Sequence, residues 1–426
     1  MSAYDFRASA DFTLRPRAFR LASSAMKITP AIPARLDVID ALRGFAIVSI
    51  MLVHNVEHFD LIYRPPGLTE WLKSLDSAVW DSIFFLFGGK SYAIFSLLFG
   101  VTFFIQLHAR QQRGEDFRTR FAWRLMLLFG FGLLNSLFYQ GDILAFYATV
   151  GLLLIPVARL GNKTVFLIAL VLMLQPVEWL ALINALQHPE LKLADPASWA
   201  YFGRGAAYLR GDSLLATLYG NFTNGRMAAL LWSWENGRMF QMPALFMLGM
   251  LAGRLSLFVP SPESRRFWTR TLLAASLLFL PLFFLKSELR GLVSGEAVRE
   301  PLSVMLATWS NLAFMLVLVS GFVLLFQGGT RERLVSIFAP LGRMSLTSYF
   351  TQSVAGSFIY YGYGLGLYKV TGASQSLLIG LGLALLQGWF SVWWLRRHKQ
   401  GPLEALWHRA TWAGRSTGGG LKAVQN

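Results

Sequence analysis

Three ionisable residues share one face of an apolar segment near the start of the chain. The segment RLDVIDALRGFAIVSIMLVHNVEHF, residues 35–59, contains Asp40, Arg43 and His54. On an α-helix, which turns about 100° per residue, they fall within about 60° of one another. Asp40 and Arg43 are one turn apart and can pair, whereas His54 lies about 21 Å beyond Asp40. We take all three as candidate catalytic residues, with His54 as a general base because a neutral imidazole suits proton abstraction near pH 7.

Each of these residues also has a simpler interpretation, which the sequence leaves open. Asp40 can cap a helix and Arg43 can anchor it among lipid phosphates. His54 is followed by Asn55 and Glu57, so it can be an ordinary residue of the membrane–water interface. Ionisable side chains that face the interior of a membrane bundle are nevertheless functional candidates by default.

A second polar group lies in the segment GFGLLNSLFYQGDILAFYATVG, residues 130–151. Asn135 is set in apolar sequence and needs a hydrogen-bond partner. Asp142 follows a turn and can simply cap the next helix. Tyr147 adds a hydroxyl at the same predicted depth. We take Asn135, Asp142 and Tyr147 as candidate substrate- or cofactor-binding residues.

A polar stripe follows in GRMSLTSYFTQS, residues 342–353. Tyr349 and Gln352 lie on it at helical spacing with two serines, and it can serve as interhelical hydrogen bonding or as the wall of a polar cavity. We include Tyr349 and Gln352 among the candidate binding residues. Gly249 and Gly253 form a GxxxG motif, which predicts close helix packing and no chemistry.

Other motifs fail on spacing. The Gly89-Lys90-Ser91 string lacks the first glycine of a P-loop, because position 84 is a phenylalanine. His54 and His58 are four residues apart but have no third ligand nearby, so no metal site is expected. The chain contains no cysteine, which excludes thiolate chemistry and cysteine-ligated metals.

The elements that position these residues follow from composition. The 426 residues are 54% hydrophobic and only 15% charged, with mean hydropathy +0.47 and net charge +16. A nucleic-acid binder carries its basic charge on a polar chain, so that class is excluded. We predict an all-α polytopic membrane bundle with about ten transmembrane helices. The predicted spans are 39–56, 92–108, 121–139, 142–158, 164–185, 240–257, 269–285, 304–326, 344–361 and 375–395. Residues 76–89 and 199–235 are expected to form interfacial or re-entrant helices.

Charge and domain boundaries follow from these spans. If both termini are cytoplasmic, every short inner loop is basic, as the positive-inside rule requires. We therefore predict a multi-pass membrane protein with both termini cytoplasmic. Residues 1–35 are expected to be a disordered basic tail, 36–396 a single bundle domain and 397–426 a cytoplasmic tail. Met26 is an alternative start, because the patterned sequence lies after it.

Five motifs together resemble the YeiB-type family of bacterial multi-spanning membrane proteins. They are DALRGFAIVSIMLVHN, KSYAIFSLLFG, GLLNSLFYQGDILAFYATVGLL, GRMSLTSYFTQS and QGPLEALWHRATW, in that order from about residue 36 to 412. The family is considered similar to the transmembrane acyltransferase superfamily, whose first span resembles D-x-x-RG-x-A followed by a histidine. Asp40, Arg43 and His54 match that pattern.

The resemblance implies a bacterial inner membrane as the location, and transfer of an acyl group from cytoplasmic acyl-CoA to an acceptor at the outer face. Arg43, Arg124 and Arg343 would hold the CoA phosphates, and Asn55, Asn135 or Tyr147 would donate to the oxyanion. YeiB-type sequences usually have asparagine at the position of His54 and histidine at that of Asn135. This exchange suggests that both positions face one site, with β-carbons within roughly 10 Å. Two independent substitutions remain the alternative.

A transporter or lipid translocase without chemistry is the alternative function. The same polar stripes would then line a path for a solute or lipid head group. The expected partners are the lipid bilayer and, for the enzyme, acyl-CoA with a periplasmic or lipid-linked acceptor. No resident cofactor is expected, because acyl-CoA would be a donor substrate.

Overall fold

The structure is a computed structural model that describes residues 36–413, apart from 189, 191, 330 and 331. Within these residues the chain is helical and has no β-strand. The predicted all-α polytopic bundle is therefore confirmed. The predicted tail at 1–35 lies outside the described residues.

Successive helices follow one another along the chain, and no large domain separates them. The first part of the chain contains α1 (Asp37–Val56), α2 (Glu70–Phe87), α3 (Ser91–Gln111), α4 (Arg118–Asn135), α5 (Leu144–Gly151), α6 (Leu154–Val157), α7 (Asn162–Met173), α8 (Pro176–Gln187) and α9 (Ala197–Arg210). The second part contains α10 (Leu214–Gly220), a π-helical turn (Asn221–Gly225), α11 (Arg226–Glu235), α12 (Arg238–Arg254), α13 (Pro262–Leu292), α14 (Glu296–Phe326), α15 (Glu332–Ser336), α16 (Ala339–Arg343), α17 (Ser345–Tyr360), a 3₁₀ turn (Leu367–Lys369), α18 (Ala373–Leu395) and α19 (Pro402–Trp412).

All ten predicted spans fall on helices, but two of them are broken. The segment 142–158 is divided into α5 and α6, and 164–185 is divided into α7 and α8. Among the described residues, four segments are long and apolar enough to cross a membrane: Glu70–Gln111, α13, α14 and α18. The bent pair α7 and α8, with 41° between its halves, makes a fifth. The remaining predicted spans are helices that do not meet the same length and hydropathy limits, so the number ten stays a prediction.

The two segments expected to be interfacial or re-entrant are regular helices. Residues 76–89 lie largely within α2, and 199–235 form α9, α10, the π-helical turn and α11. At the other end of the chain, residues 402–412 form α19, and 414–426 lie outside the described residues.

Helix α1 is buried along most of its length and contacts α2, α3, α16, α17 and α18. Glycines allow its closest approach. A β-carbon on Gly44 would overlap the carbonyl oxygen of Phe338, and one on Gly342 would overlap the carbonyl oxygen of Asp40. Helices α1 and α16 therefore pack backbone against backbone, which only glycine permits.

The GxxxG motif has the packing role that the sequence predicts. A β-carbon on Gly249 would overlap the carbonyl oxygen of Leu97, and one on Gly100 would overlap that of Phe246. These contacts join α12 to α3, so the two helices approach closely along their length.

Helix α19 closes the end of the bundle opposite His54 on α1. The Glu404 carboxylate accepts hydrogen bonds from the amides of Leu346 and Thr347 at 2.7 and 3.1 Å, and from the Thr347 hydroxyl at 2.6 Å. A carboxylate at this position caps α17 and complements its dipole. The QGPLEALW motif thus has a structural role, because it ties α19 to the first turn of α17.

Candidate functional site

His54 lies at the end of α1, between two aromatic rings. Its ring centroid is 4.6 Å from that of Tyr139 and 5.6 Å from that of Phe59. Its Nδ1 is buried and has no hydrogen-bond partner among the described residues. The imidazole is therefore oriented by ring packing, and Nε2 is the nitrogen that remains for a ligand.

The backbone immediately after α1 is strained. His58, Phe59 and Asp60 have φ angles of 51°, 54° and 66°, in the left-handed region that non-glycine residues rarely adopt. Tertiary contacts hold this turn: the Tyr361 hydroxyl donates to the carbonyl of Phe59 at 2.7 Å, and the Phe59 ring is fully buried. Such conformations persist only where the surroundings enforce them, and they cluster at functional sites.

This turn places carboxyl groups next to His54. The Tyr139 hydroxyl donates to Asp60 at 3.2 Å. Burial raises the pKa of Asp60 to about 6, against a smaller opposing effect of the Tyr139 hydrogen bond. Burial, with the neighbouring Asp60, also raises the pKa of Glu57 well above its ordinary value. Both groups can therefore hold a proton at a pH where exposed carboxyls are ionised.

Asn135 and Asp142 approach the same region from α4 and the turn that follows it. The Asn135 amide donates to Asp142 at 2.9 Å, and the second carboxylate oxygen accepts from the amide of Ala145 at 3.2 Å. Asp142 therefore caps the first turn of α5, as the simpler interpretation predicts. The Tyr139 ring, one helical turn beyond Asn135, packs against His54. The proposed exchange of His54 and Asn135 stays a prediction, but Tyr139 and Asp142 connect the two positions.

Three arginines face this region, each with its guanidinium stacked on aromatic rings. The Arg238 guanidinium carbon lies 4.1 Å from the Tyr92 centroid and 4.0 Å from that of Trp232. The other two arginines stack on single rings: Arg226 on Phe222 at 4.9 Å, and Arg210 on Tyr63 at 5.2 Å.

His54, the carboxyl groups beside it and the three arginines line one cavity of about 1680 Å³. Its ionisable lining residues are His54, Glu57, Asp60, Asp81, Lys90, Asp142, Arg210, Arg226, Arg238 and Lys286. Aromatic and aliphatic side chains from α2, α4, α5 and α13 form much of the remaining wall. The volume exceeds the usual range for a small-molecule site, so a large amphiphilic ligand fits the cavity.

Of the residues predicted from sequence, the structure brings His54, Asp142 and Tyr349 to this cavity. Tyr349 is otherwise buried, and its hydroxyl accepts from the amide of Ile143 at 3.4 Å. Asn135 lies directly behind Asp142 and is fully buried.

Asp40 and Arg43 pair as predicted, with 2.9 Å between Arg43 Nη1 and Asp40 Oδ1. Arg43 also donates to the Thr102 hydroxyl at 2.8 Å and to the Gly342 carbonyl at 3.5 Å. These contacts join α1 to α3 and α16, and neither charged residue lines the cavity. The geometry gives Arg43 a clear structural role.

The other arginines predicted to hold phosphates also contact the protein itself. The Arg124 guanidinium stacks on Trp407 at 4.2 Å, and the Trp407 indole donates to the Arg124 carbonyl at 3.0 Å. Arg343 donates to the Lys399 carbonyl at 3.2 Å. Neither arginine lines the cavity that contains His54.

The remaining candidates are buried between helices. The Asn55 amide nitrogen donates to the Met51 carbonyl at 2.8 Å, and its oxygen accepts from the Tyr360 hydroxyl at 3.0 Å. The Tyr147 hydroxyl donates to the Tyr92 carbonyl and contacts Ser96, both at 2.7 Å. Gln352 is fully buried, and neither polar atom of its amide has a partner among the described residues.

Sequence reasoning missed Glu57, Asp60, Lys90 and Arg238 as cavity residues. Their sequence pattern is uninformative, because charged residues are common just outside apolar runs. The best clue is Arg238, which follows Trp232 and Trp234 in a segment too polar for a span. Within the described part of the chain, no group of three or more His, Asp or Glu could hold a metal ion.

The helices and the cavity together define a polytopic helical membrane protein with a large, charged internal site. The family model described as "Protein of unknown function (DUF418)" matches residues 252–414. The chain is 28% identical over 406 residues to "Uncharacterized protein YxaH" of Bacillus subtilis (strain 168), covering 89% of this chain and 94% of that protein. It is 28% identical over 391 residues to "Uncharacterized protein YeiB" of Escherichia coli (strain K12), covering 88% and 95%.

These matches confirm the predicted resemblance to the YeiB-type family. A third relative, "Uncharacterized 39.9 kDa protein in amylase 3'region" of Bacillus acidopullulyticus, is 25% identical over 403 residues, covering 90% of this chain and 95% of that protein. No solved structure matches the chain significantly. The relation to transmembrane acyltransferases stays a prediction.

Proposed function

We propose that the protein transfers an acyl group to an acceptor bound in the cavity beside His54. In this reaction His54 Nε2 takes the proton of an acceptor hydroxyl or amine. The acceptor atom attacks the thioester carbonyl carbon, the new C–O or C–N bond forms, and the C–S bond breaks. The proton returns from the imidazolium to the leaving thiolate of CoA, so His54 is regenerated.

One observation carries this proposal: an imidazole without a structural hydrogen bond opens onto a cavity large enough for a lipid-like acceptor. A histidine with a structural role normally has its ring nitrogens hydrogen-bonded. His58 differs from His54 at one nitrogen: its Nε2 lies 2.9 Å from the Ser376 hydroxyl, whereas its Nδ1, like that of His54, has no partner among the described residues.

The donor end has weaker support, because Arg43, Arg124 and Arg343 each contact other parts of the protein. Acyl-CoA binding therefore needs its own test. Purified protein is titrated with acetyl-CoA and palmitoyl-CoA, and Arg43→Ala is compared with wild type. Binding by wild type supports an acyl-CoA donor, and no binding of either thioester counts against the enzyme.

The transfer test uses protein in vesicles of bacterial lipid extract with radiolabelled acetyl-CoA or palmitoyl-CoA. We expect a labelled product with wild type and none with His54→Ala. His188→Ala is the matched control, because His188 is exposed and does not line the cavity. Product formation by His54→Ala at the wild-type rate would remove His54 from the mechanism.

A translocase without chemistry is the second candidate, and the break between α7 and α8 favours it. Gln175 at this break has φ 59°, and its side-chain amide donates to the carbonyl of Gly237 at 3.0 Å, next to Arg238. Interrupted membrane helices are typical of transport sites. Vesicles that move a fluorescent phospholipid between leaflets without forming an acylated product would support this alternative.

A further inference from the structure

The three arginines of the cavity share an arrangement that differs from that of Arg43. Arg43 donates to Asp40 and Thr102 within the protein. Within the described residues, the side chains of Arg238, Arg226 and Arg210 form no ion pair and no hydrogen bond, and each stacks on an aromatic ring instead. Arg238 and Arg226 are partly buried, whereas Arg210 is exposed. Charged groups inside a protein are normally paired, so the two partly buried guanidinium groups need an explanation.

Contact with two aromatic rings restricts the direction in which the Arg238 guanidinium donates. An arginine that is flat against an aromatic face keeps its N–H groups in the plane of the fork, directed away from the rings. Arg238 is held between Tyr92 and Trp232, so its donors are oriented before any ligand arrives. Such a fork binds a phosphate through two parallel hydrogen bonds, whereas lysine acts as a point charge.

The local backbone places Arg226 on the wall of the same cavity. It follows the π-helical turn Asn221–Gly225, and the Asn221 side chain secures this turn by donating to the Leu137 carbonyl at 3.0 Å. Isolated π-helical turns are frequent at functional sites. The turn also brings Phe222, on which Arg226 stacks, to the cavity wall.

The rest of the cavity fits the apolar part of a ligand. Phe85, Phe279 and Phe283 form an aromatic cluster on its wall, with ring centroids 5.4–6.1 Å apart. Phe129 and Leu153 line the cavity and are also exposed on the surface of the bundle. A chain that leaves the cavity past these residues would enter the bilayer.

We propose that Arg238, Arg226 and Arg210 bind the phosphate of an amphiphilic substrate whose apolar chain lies along the phenylalanine-lined wall. This inference deepens the proposed function, since it names the substrate class of the same cavity. The carboxyl groups of Glu57, Asp60, Asp81 and Asp142 also line the cavity. They oppose an anion when they are ionised, whereas Lys90 and Lys286, which line the same cavity, favour one.

The test measures binding by the full-length protein in detergent, without any thioester, so phosphate binding and acyl transfer can fail independently. The probes are dioleoyl phosphatidic acid, dioleoylglycerol and inorganic phosphate. Wild type should bind phosphatidic acid at least about tenfold more tightly than dioleoylglycerol, which lacks the phosphate. Equal affinity for the two lipids would overturn the proposal.

Variants assign the effect to the arginines. Arg238→Gln should weaken phosphatidic acid binding about tenfold or more, and Arg238→Lys should recover only part of it because the fork is lost. Arg396→Gln is the matched control, since Arg396 is exposed and does not line the cavity. If Arg238→Gln fails to fold, Arg226→Gln is used. Wild-type affinity in a folded cavity variant would overturn the proposal.

Inorganic phosphate distinguishes a phosphate-bearing lipid from a soluble phosphate compound as the ligand of the arginines. If it binds much more weakly than phosphatidic acid, the apolar wall contributes and the substrate is a phosphate-bearing lipid. If it binds as tightly as phosphatidic acid and is weakened by Arg238→Gln, the substrate is a soluble phosphate compound. Failure of phosphate to compete with phosphatidic acid even at saturation would place the lipid elsewhere and contradict the assignment.

Discussion

Replacing Gly44 by alanine tests whether the Arg-Gly motif of α1 holds two helices together. An added β-carbon would overlap the carbonyl oxygen of Phe338 in the turn that leads into α16. Since β-carbons essentially never approach backbone oxygens closer than 3.0 Å, the two helices must separate by about 1 Å. The backbone cannot rotate out of the way as a long side chain could, so packing around α1 is lost.

The magnitude follows from two opposing effects. Alanine is favoured over glycine inside a helix by about 1 kcal/mol. Forcing extra volume into a packed interior costs about 1–3 kcal/mol, and at a backbone contact the upper end applies. We expect Gly44→Ala to lower the free energy of unfolding by about 2 kcal/mol, which raises the unfolded-to-folded ratio about 30-fold.

The matched control is Gly321→Ala in α14. A β-carbon there has no atom within 4 Å, so the same substitution should raise stability by about 0.5–1 kcal/mol. Reversible unfolding of both variants in mixed detergent micelles, followed by circular dichroism, measures the difference. If Gly44→Ala is as stable as Gly321→Ala, the close approach of α1 and α16 is wrong and the motif needs a different explanation.

Three further predictions concern single carboxyl groups. The folded pKa of Asp60, about 6, lies above its ordinary value of 3.8, so this residue favours folding at low pH and loses that contribution as the pH rises through 6. Unfolding midpoints of wild type measured between pH 4 and 7 should fall as the pH rises, and Asp60→Asn should remove this fall. A variant with the same pH profile as wild type would contradict the raised pKa of Asp60. Glu404→Ala should lower the free energy of unfolding by about 1–2 kcal/mol, because it removes the cap of α17, and Glu404→Gln should lower it less. Equal stability of wild type and both variants during unfolding in detergent would argue against the cap. Asp76 accepts from the amide and hydroxyl of Ser374 at the start of α18, so Asp76→Ala should cost about 1 kcal/mol in the same assay and increase hydrogen exchange in the first turn of α18.

Much of the fold could be predicted because it depends on local pattern. Apolar runs of helical length located the helices, and the i, i+3 spacing of Asp40 and Arg43 predicted their ion pair. The GxxxG motif predicted a close helix contact, which joins α12 to α3. The break at α5–α6 was missed because it falls at Leu152-Leu153, inside a run that remains apolar. The break at α7–α8 falls at Gln175-Pro176, a helix-breaking pair that the predicted span 164–185 ignored.

The candidate site was predicted only in part. His54 and Asp142 stand out in sequence because each is an ionisable group bordering a long apolar run. Arg43 stands out for the same reason, yet its partners Thr102 and Gly342 lie 59 and 299 residues away. No spacing rule on one helix can reveal such partners, and they distinguish a structural arginine from one that faces a ligand.

The sequence by itself therefore determined the helices, the membrane character and the charge pair of α1, because periodicity and hydropathy act between residues that are near in the chain. Tertiary structure alone decided which charges from separate segments meet. Asp60, Arg226 and Arg238 come from separate segments, and they line one cavity only because α1, α11 and α12 pack around it. Burial and aromatic stacking then give these groups properties that no local pattern specifies.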